Sequence, residues 1–218
     1  MKKRSKSVED YLKAIYVLEH EEHARVSTSA VADRLGVSAP AATTMLKKLA
    51  SEGLARHERY RGVELTAAGR RAAVEIIRHH RLIEQYLSQR LGVAIDEVHE
   101  EAEQLEHALS EELEARIDRD LGFPSHDPHG DPIPNADLTV AETPVRSLAE
   151  LEEGEQATVQ RVPDRDRELL RYLSSIGILP GQTVKVLAAE PFGGPLLVAA
   201  GGAQSPITRD LAALIGIA

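Results

Sequence analysis

Four of the nine histidines in this 218-residue chain fall between residues 79 and 107, among many glutamates. Their spacing suits metal chemistry. His80 and Glu84 stand four apart, so on a helix they share a face. His99, Glu103, Glu106 and His107 follow at offsets of 0, 4, 7 and 8. On one continuous helix they would occupy an arc of roughly 80–100°. Two imidazoles and two carboxylates aimed one way need a positive charge between them, and a divalent ion with nitrogen and oxygen ligands supplies it. The plain alternative is a solvated face, since Glu100, Glu101, Glu111 and Glu112 make the stretch acidic all round. Asp10 has its own local reading: Ser7-x-x-Asp10 has the form of a capping box, and an acid in a first turn suits the helix dipole. The absence of cysteine excludes disulfides, thiolate metal sites, iron–sulfur clusters and cysteine nucleophiles. With neither H-E-x-x-H nor a glycine-rich phosphate loop, a hydrolytic enzyme is not expected.

The elements that must position these groups are mainly helical. Residues 7–22 place Val8, Leu12 and Ile15 on a 3.6-residue period. Two short helices follow, one over about 27–35 ended by Gly36, the other opened by Ser38 with Pro40 in its first turn. Leu54 to Leu65 alternates about a Tyr60-Arg61-Gly62 turn and predicts a β-hairpin. Thr66 caps a long helix to Leu91, and a further single helix is expected from Ile95 to Leu121. Five of the eleven prolines lie in 123–144, which reads as a linker or extended loop. Beyond it, short β-like runs separated by glycines predict a small β-barrel with one short helix near Glu168–Ser175. The fold class is thus mainly α with a small β domain. The boundaries are 1–71 for a winged helix-turn-helix, 72–143 for a helical domain with its proline-rich linker, and 144–218 for the barrel.

Charge divides the chain along the same lines. Residues 1–71 carry 14 Lys and Arg against 9 Asp and Glu, and the remainder carries 12 against 26. A basic front suits a polyanion. Two short helices and a basic hairpin form a winged helix-turn-helix, whose second helix enters the major groove of double-stranded DNA. Its outer face would present Ser38, Pro40, Ala41, Thr43, Thr44, Lys47 and Lys48, with Arg59 and Arg61 at the hairpin tip meeting the backbone or minor groove. No Gln, Asn or Arg stands mid-helix, so shape is expected to carry much of the readout. There is no apolar run near the length of a membrane span, and MKKRSKS opens without the apolar core of a secretory signal; the cytoplasm is the expected compartment.

The segments VEDYLKAIYVLE, SAPAATTMLKKLASEGL, HHRLIEQYL, VHEEAEQLEHALS and HGDPIP resemble the diphtheria-toxin-repressor family of metal-dependent transcriptional repressors, and more closely its manganese-sensing branch. The C-terminal barrel resembles a FeoA-type, Src-homology-like module. The resemblance implies a helical metal-binding and dimerisation domain. It implies a primary metal site of Asp10, Glu103, Glu106 and His107, and an ancillary site of His80, Glu84 and His99 completed from the barrel by Asp166 or Glu168. The iron-sensing branch has methionine and cysteine where Asp10 and Glu103 stand, and carboxylates harden the site toward Mn(II). Fe(II) is the alternative activator, Zn(II) or Co(II) would substitute in vitro, and a small organic effector in the barrel is the remaining rival. Short manganese regulators carry a second carboxylate one turn after the aspartate, whereas this chain has Lys13, so two separated sites are expected rather than a close pair. A homodimer on a palindromic operator, repressing metal-uptake genes, is implied, with Leu82, Ile83, Leu87, Leu91 and Leu105 on the dimer face.

Overall fold

The computed structural model of the chain describes residues 4–22, 25–58, 61–141 and 146–218. They form two compact units. One contains the described residues of Met1–His80 with Glu106–Ser110 and Pro134–Thr139; the other contains Arg81–Leu105, Glu111–Ile133 and Val140–Ala218.

The first unit is built on helix α1, Lys6–Glu22. Val8, Tyr11, Leu12, Ile15 and Leu18 recur at helical spacing and are buried. They share a core with Val31 of α2 (Thr28–Leu35), Leu46 and Leu49 of α3 (Ala39–Ser51), and Val63 and Leu65 of the hairpin. The Ser27 hydroxyl accepts from the Ala30 amide at 3.0 Å and the Ser38 hydroxyl from the Ala41 amide at 3.4 Å, so both short helices start where their serines allow. Strands β1 (Ala55–Glu58) and β2 (Gly62–Leu65) pair antiparallel with Ala55 opposite Leu65. Arg59 and Tyr60, expected at the hairpin tip, lie outside the described residues. Helix α4, Ala67–Leu91, begins at Thr66, whose hydroxyl accepts from the Gly69 amide at 3.1 Å. Helix α1 starts one residue before the expected cap: the Ser5 carbonyl takes the amides of Val8 and Glu9, so Ser7 is already helical and the Ser7–Asp10 capping box does not form.

In the second unit the expected single helix from Ile95 to Leu121 is two helices. Helix α5 covers Val98–Leu105 and α6 covers Glu111–Asp120, and the chain turns between them. Strands β3 (Arg146–Ser147), β4 (Gln156–Arg161), β5 (Thr183–Ala189), β6 (Leu196–Ala200), β7 (Ala203–Ile207) and β8 (Gly216–Ile217) make one sheet in the order β3-β8-β4-β5-β6-β7. Helices α7 (Arg167–Ser175) and α8 (Arg209–Ala213) complete the sheet domain. Among the described residues β3 and β7 remain unpaired edges, so the expected closed barrel is an open six-stranded sheet. Its core holds Leu148, Val159, Leu173, Val184 and Ile215.

Two further expectations change. The proline-rich stretch is not a free linker over 123–133: Asp127, His129 and Ile133 are buried, and the Val162 amide donates to the His129 carbonyl at 2.9 Å. Leu82, Ile83 and Leu87 are buried within the chain itself, so only Leu91 and Leu105 of the expected dimer face are exposed. No described helix is long and apolar enough to cross a membrane.

Candidate metal centres and nucleic-acid face

The first centre lies within the first unit. It forms because the chain breaks its helix after Leu105 and turns Glu106 inward, where the side chain is 0% exposed. His107 beside it has its Nδ1 2.8 Å from Glu9 Oε2, its Nε2 2.8 Å from Asp10 Oδ1 and 3.3 Å from Glu106 Oε1. If Nδ1–H donates to Glu9, the Nε2 lone pair faces two carboxylate oxygens, which repel it unless a cation stands between. Glu106 Oε1 and His107 Nε2 are buried and neither makes a well-directed hydrogen bond. Ligand atoms of Asp10, Glu106 and His107 all lie within 4.8 Å of one another. That donor set fits a divalent ion, and Glu9 takes the place of the outer carboxylate that orients a ligating imidazole. Glu9 was not foreseen.

The far oxygen of Glu106 is differently occupied. Lys13 Nζ donates to Oε2 at 2.8 Å, and His80 Nδ1 lies 2.6 Å from the same atom. Burial alone would push the Glu106 carboxyl up; the His80 hydrogen bond and the Lys13 charge outweigh it and hold the carboxyl below the ordinary glutamate range. His80, expected with Glu84 and His99, also meets Glu106 through its Nδ1. Glu103 stays on α5 in the second unit, with Oε1 3.9 Å from His99 Nε2.

The second centre lies within the second unit and involves residues that sequence reasoning missed. Glu84 and His129 are 0% exposed, with Glu84 Oε1 3.7 Å from His129 Nδ1. Nε2 of His129 donates to the Ile95 carbonyl at 2.9 Å, which leaves Nδ1 as the lone-pair nitrogen. That nitrogen is buried and has no hydrogen-bond partner. Asp127 completes a group whose ligand atoms lie within 4.8 Å. Its Oδ1 accepts from the amides of His129 and Asp131, both at 2.9 Å, an Asx turn that sets the loop. Burial, then the charges of Glu84 and Asp131, push the Asp127 carboxyl well above its ordinary range despite Arg81. On the more open side His99 Nδ1 stands 3.1 Å from Glu84 Oε1 and 3.8 Å from Asp164 Oδ2. The sheet-domain acid beside this group is Asp164. Asp166 is instead the N-cap of α7, accepting from the Leu169 amide at 3.0 Å, and Glu168 stands exposed in that helix's first turn.

The expected nucleic-acid face lies on α3. Ser38, Pro40, Ala41, Thr44, Lys47 and Lys48 are exposed and Thr43 is half-buried. The hydroxyls of Thr43 and Thr44 donate back to the carbonyls of Ala39 and Pro40, at 2.8 and 3.0 Å, so they offer methyl groups and acceptor lone pairs outward. Arg61 is exposed and pairs with Glu58 at 3.4 Å, while Arg25 bridges Glu58 and Glu64 at 3.0 and 2.9 Å. Part of the hairpin's positive charge is therefore matched internally.

A groove-sized helix on a winged scaffold, tied through its packing partner α1 to a carboxylate–imidazole cluster, defines a metal-dependent DNA-binding regulator rather than an enzyme. Comparison with known proteins agrees. Residues 3–63 match the family described as "Iron dependent repressor, N-terminal DNA binding domain", residues 66–135 "Iron dependent repressor, metal binding and dimerisation domain", and residues 146–218 "FeoA domain". The "Iron-dependent repressor IdeR" of Mycobacterium leprae is 32% identical over 219 residues, covering 94% of each chain. A solved "Manganese-dependent transcriptional repressor complex with manganese" is 45% identical, covers 96% of this chain and 98% of its own, and superposes with a TM-score of 0.87. The "manganese regulator SloR" is 34% identical, with 97% of each chain covered and a TM-score of 0.77. The chain belongs to the diphtheria-toxin-repressor family of metal-dependent transcriptional repressors.

Proposed function

We propose that the protein is a Mn(II)-activated repressor that binds a palindromic operator as a homodimer and controls metal-uptake genes in the cytoplasm. The observation that carries the reading is the convergence of buried Glu106 Oε1 and His107 Nε2 on Asp10 of α1. Asp10, Glu106 and His107 would hold one ion, oriented by Glu9. Glu84, Asp127 and His129, with His99 and Asp164 beside them, would hold a second. Both sets consist of carboxylates and imidazole without sulfur, a donor chemistry that suits Mn(II), while Fe(II), Co(II) and Zn(II) share enough of it to compete. The bound ion supplies positive charge that lets Asp10, Glu106 and His107 stay together. Asp10 then fixes the start of α1 against the 106–107 turn, and α1 in turn packs on α2 and α3 through Leu12, Ile15 and Leu46. With the carboxylates uncompensated, the start of α1 is repelled from that turn and α3 loses its support.

Titrating chelator-stripped protein in parallel with Mn(II), Fe(II), Co(II) and Zn(II), with a duplex selected by the metal-loaded protein from a random pool, tests this. Mn(II) is expected to tighten DNA binding by about 5- to 150-fold, a coupling of about 1–3 kcal/mol. DNA binding indifferent to chelator would sink the proposal. An iron-responsive regulator is the second reading, favoured by the iron-dependent mycobacterial relative, and a response to Fe(II) with none to Mn(II) selects it. On the DNA side, Lys47→Ala and Lys48→Ala are each expected to weaken all duplexes alike and to lower the slope of log affinity against log salt by about 1. A change confined to one base position would move that lysine from phosphate contact to base readout.

A further inference from the structure

Arg25 stands in the short connection between α1 and α2, yet the fold carries it onto the hairpin. The Val26 amide donates to the Val63 carbonyl at 3.0 Å and the Val63 amide to the Val26 carbonyl at 2.8 Å, which lays this segment along the free side of β2. Gly62 permits the approach, because a Cβ there would stand 2.4 Å from the Val26 carbonyl oxygen. The exposed Arg25 guanidinium then reaches both strands: Nη1 is 3.0 Å from Glu58 Oε1 of β1, and Nε donates to Glu64 Oε2 of β2 at 2.9 Å. Glu64 Oε1 accepts from Arg56 at 3.1 Å, and Glu58 Oε2 from Arg61 at 3.4 Å. Three guanidinium groups thus surround two carboxylates. Hydrogen bonds from Arg25 hold both carboxyls below the ordinary glutamate range, Arg56 adding to the effect at Glu64, so both are ionised at neutral pH.

We propose that Arg25 is a further DNA-contacting residue, and that Glu58 and Glu64 make the hairpin discriminating by occupying its arginines until a phosphate is positioned to replace them. The inference rests on the DNA-binding reading given above. A phosphate offers a guanidinium the same pair of acceptor oxygens as a carboxylate does, so one can be exchanged for the other. On a duplex that seats α3 fully, the hairpin is held against the backbone and the exchange takes place. On a random duplex the seating is looser and the carboxylates keep the arginines. Arginines without such partners would bind any phosphate, an attraction that carries no sequence information. The two glutamates therefore suppress binding to random sequence more than binding to a fitting one. Because these ion pairs are exposed, they are weak enough to be exchanged.

The test uses the full chain loaded with Mn(II), the duplex selected from a random pool and a random duplex of equal length, with affinities measured across a salt series. Glu64→Gln is expected to tighten the random duplex by about tenfold, with the slope of log affinity against log salt steeper by about 1, and the selected duplex by less than about threefold. Arg25→Gln is expected to weaken the selected duplex by about tenfold and the random duplex by less than about threefold. In a chain already carrying Arg25→Gln and Arg56→Gln, adding Glu64→Gln is expected to tighten the random duplex by less than about threefold, because its effect runs through those arginines. Exposed ion pairs contribute little to stability, so these variants keep the fold. Equal gains on both duplexes from Glu64→Gln, or a full gain that persists without the two arginines, would reduce the carboxylate to plain repulsion of DNA and overturn the proposal. Arg25→Gln weakening both duplexes alike, or neither, would do the same. A parent chain that does not distinguish the selected from the random duplex would overturn the DNA-binding reading itself.

Discussion

Glu106→Gln is expected to abolish the metal-dependent gain in DNA affinity, reducing a 5- to 150-fold response to about onefold. The substitution preserves volume, so the turn after Leu105 can keep its path, but it removes the charge at both oxygens. Metal affinity at the first centre should fall by at least about 100-fold, the upper end of the loss caused by an outer partner alone. The folded state suffers as well, since Lys13 would face a neutral amide. Breaking a buried pair costs about 3–5 kcal/mol, and the residual exposure of Lys13 places this case toward the lower figure. The pH profile separates the two effects. Because the Glu106 carboxyl is held below its ordinary range, its contribution to stability is present above the unfolded glutamate value, about 4.3, and is lost as pH falls through the lowered folded value. Chelated wild-type protein should therefore lose stability over that acid window in urea unfolding, and Glu106→Gln should show less of that loss. Metal-responsive DNA binding retained by a folded Glu106→Gln protein would exclude Glu106 from the centre.

The winged helix was legible because each boundary carries a local chemical mark. Ser27 and Ser38 cap, Gly36 and Gly92 stop, and Thr66 starts the long helix, all through contacts within a few residues. The break at Glu106 has no such mark. Leu105 to Ser110 contains neither Gly nor Pro, and what favours the turn is a buried carboxylate meeting Lys13, 93 residues away. A single-helix arc thus put Glu103, Glu106 and His107 on one continuous helix, a geometry the chain does not keep beyond Leu105. The second centre was hidden for a different reason. Proline density made 123–133 look like a linker, yet D-P-H-G-D is also an Asx turn in which Asp127 accepts two amides and fixes His129 between them. Helix-capping rules applied to the PDRDRE stretch would have assigned Asp166 to α7, three residues before the Leu169 amide, and left Asp164 for the metal side.

Gly130→Ala should be the most disruptive single methyl in the second unit, because that glycine is where the His129 loop meets strand β4. A Cβ there would stand 1.8 Å from the Gln160 carbonyl oxygen and 2.8 Å from its carbon, on backbone with φ of +90°. Neither atom is the end of a flexible side chain, so the loop itself must lift. Lifting it breaks the bond from the Val162 amide to the His129 carbonyl and carries His129 and Asp127 away from Glu84. Gly154 provides the control: its φ is +89°, but nothing lies within 4 Å of the added carbon. Gly154→Ala should cost only the left-handed strain, about 1–2 kcal/mol. Gly130→Ala should cost at least about 4 kcal/mol, in the range reserved for backbone collisions and lost networks. Urea unfolding of the two variants without metal isolates the steric contribution as their difference. In metal titrations Gly130→Ala should weaken the second centre by about 10- to 100-fold while leaving the first, formed in the other unit, close to wild type. Equal stability of the two variants would mean that the loop does not rest on β4, and the second centre would lose the support that aims His129 at Glu84.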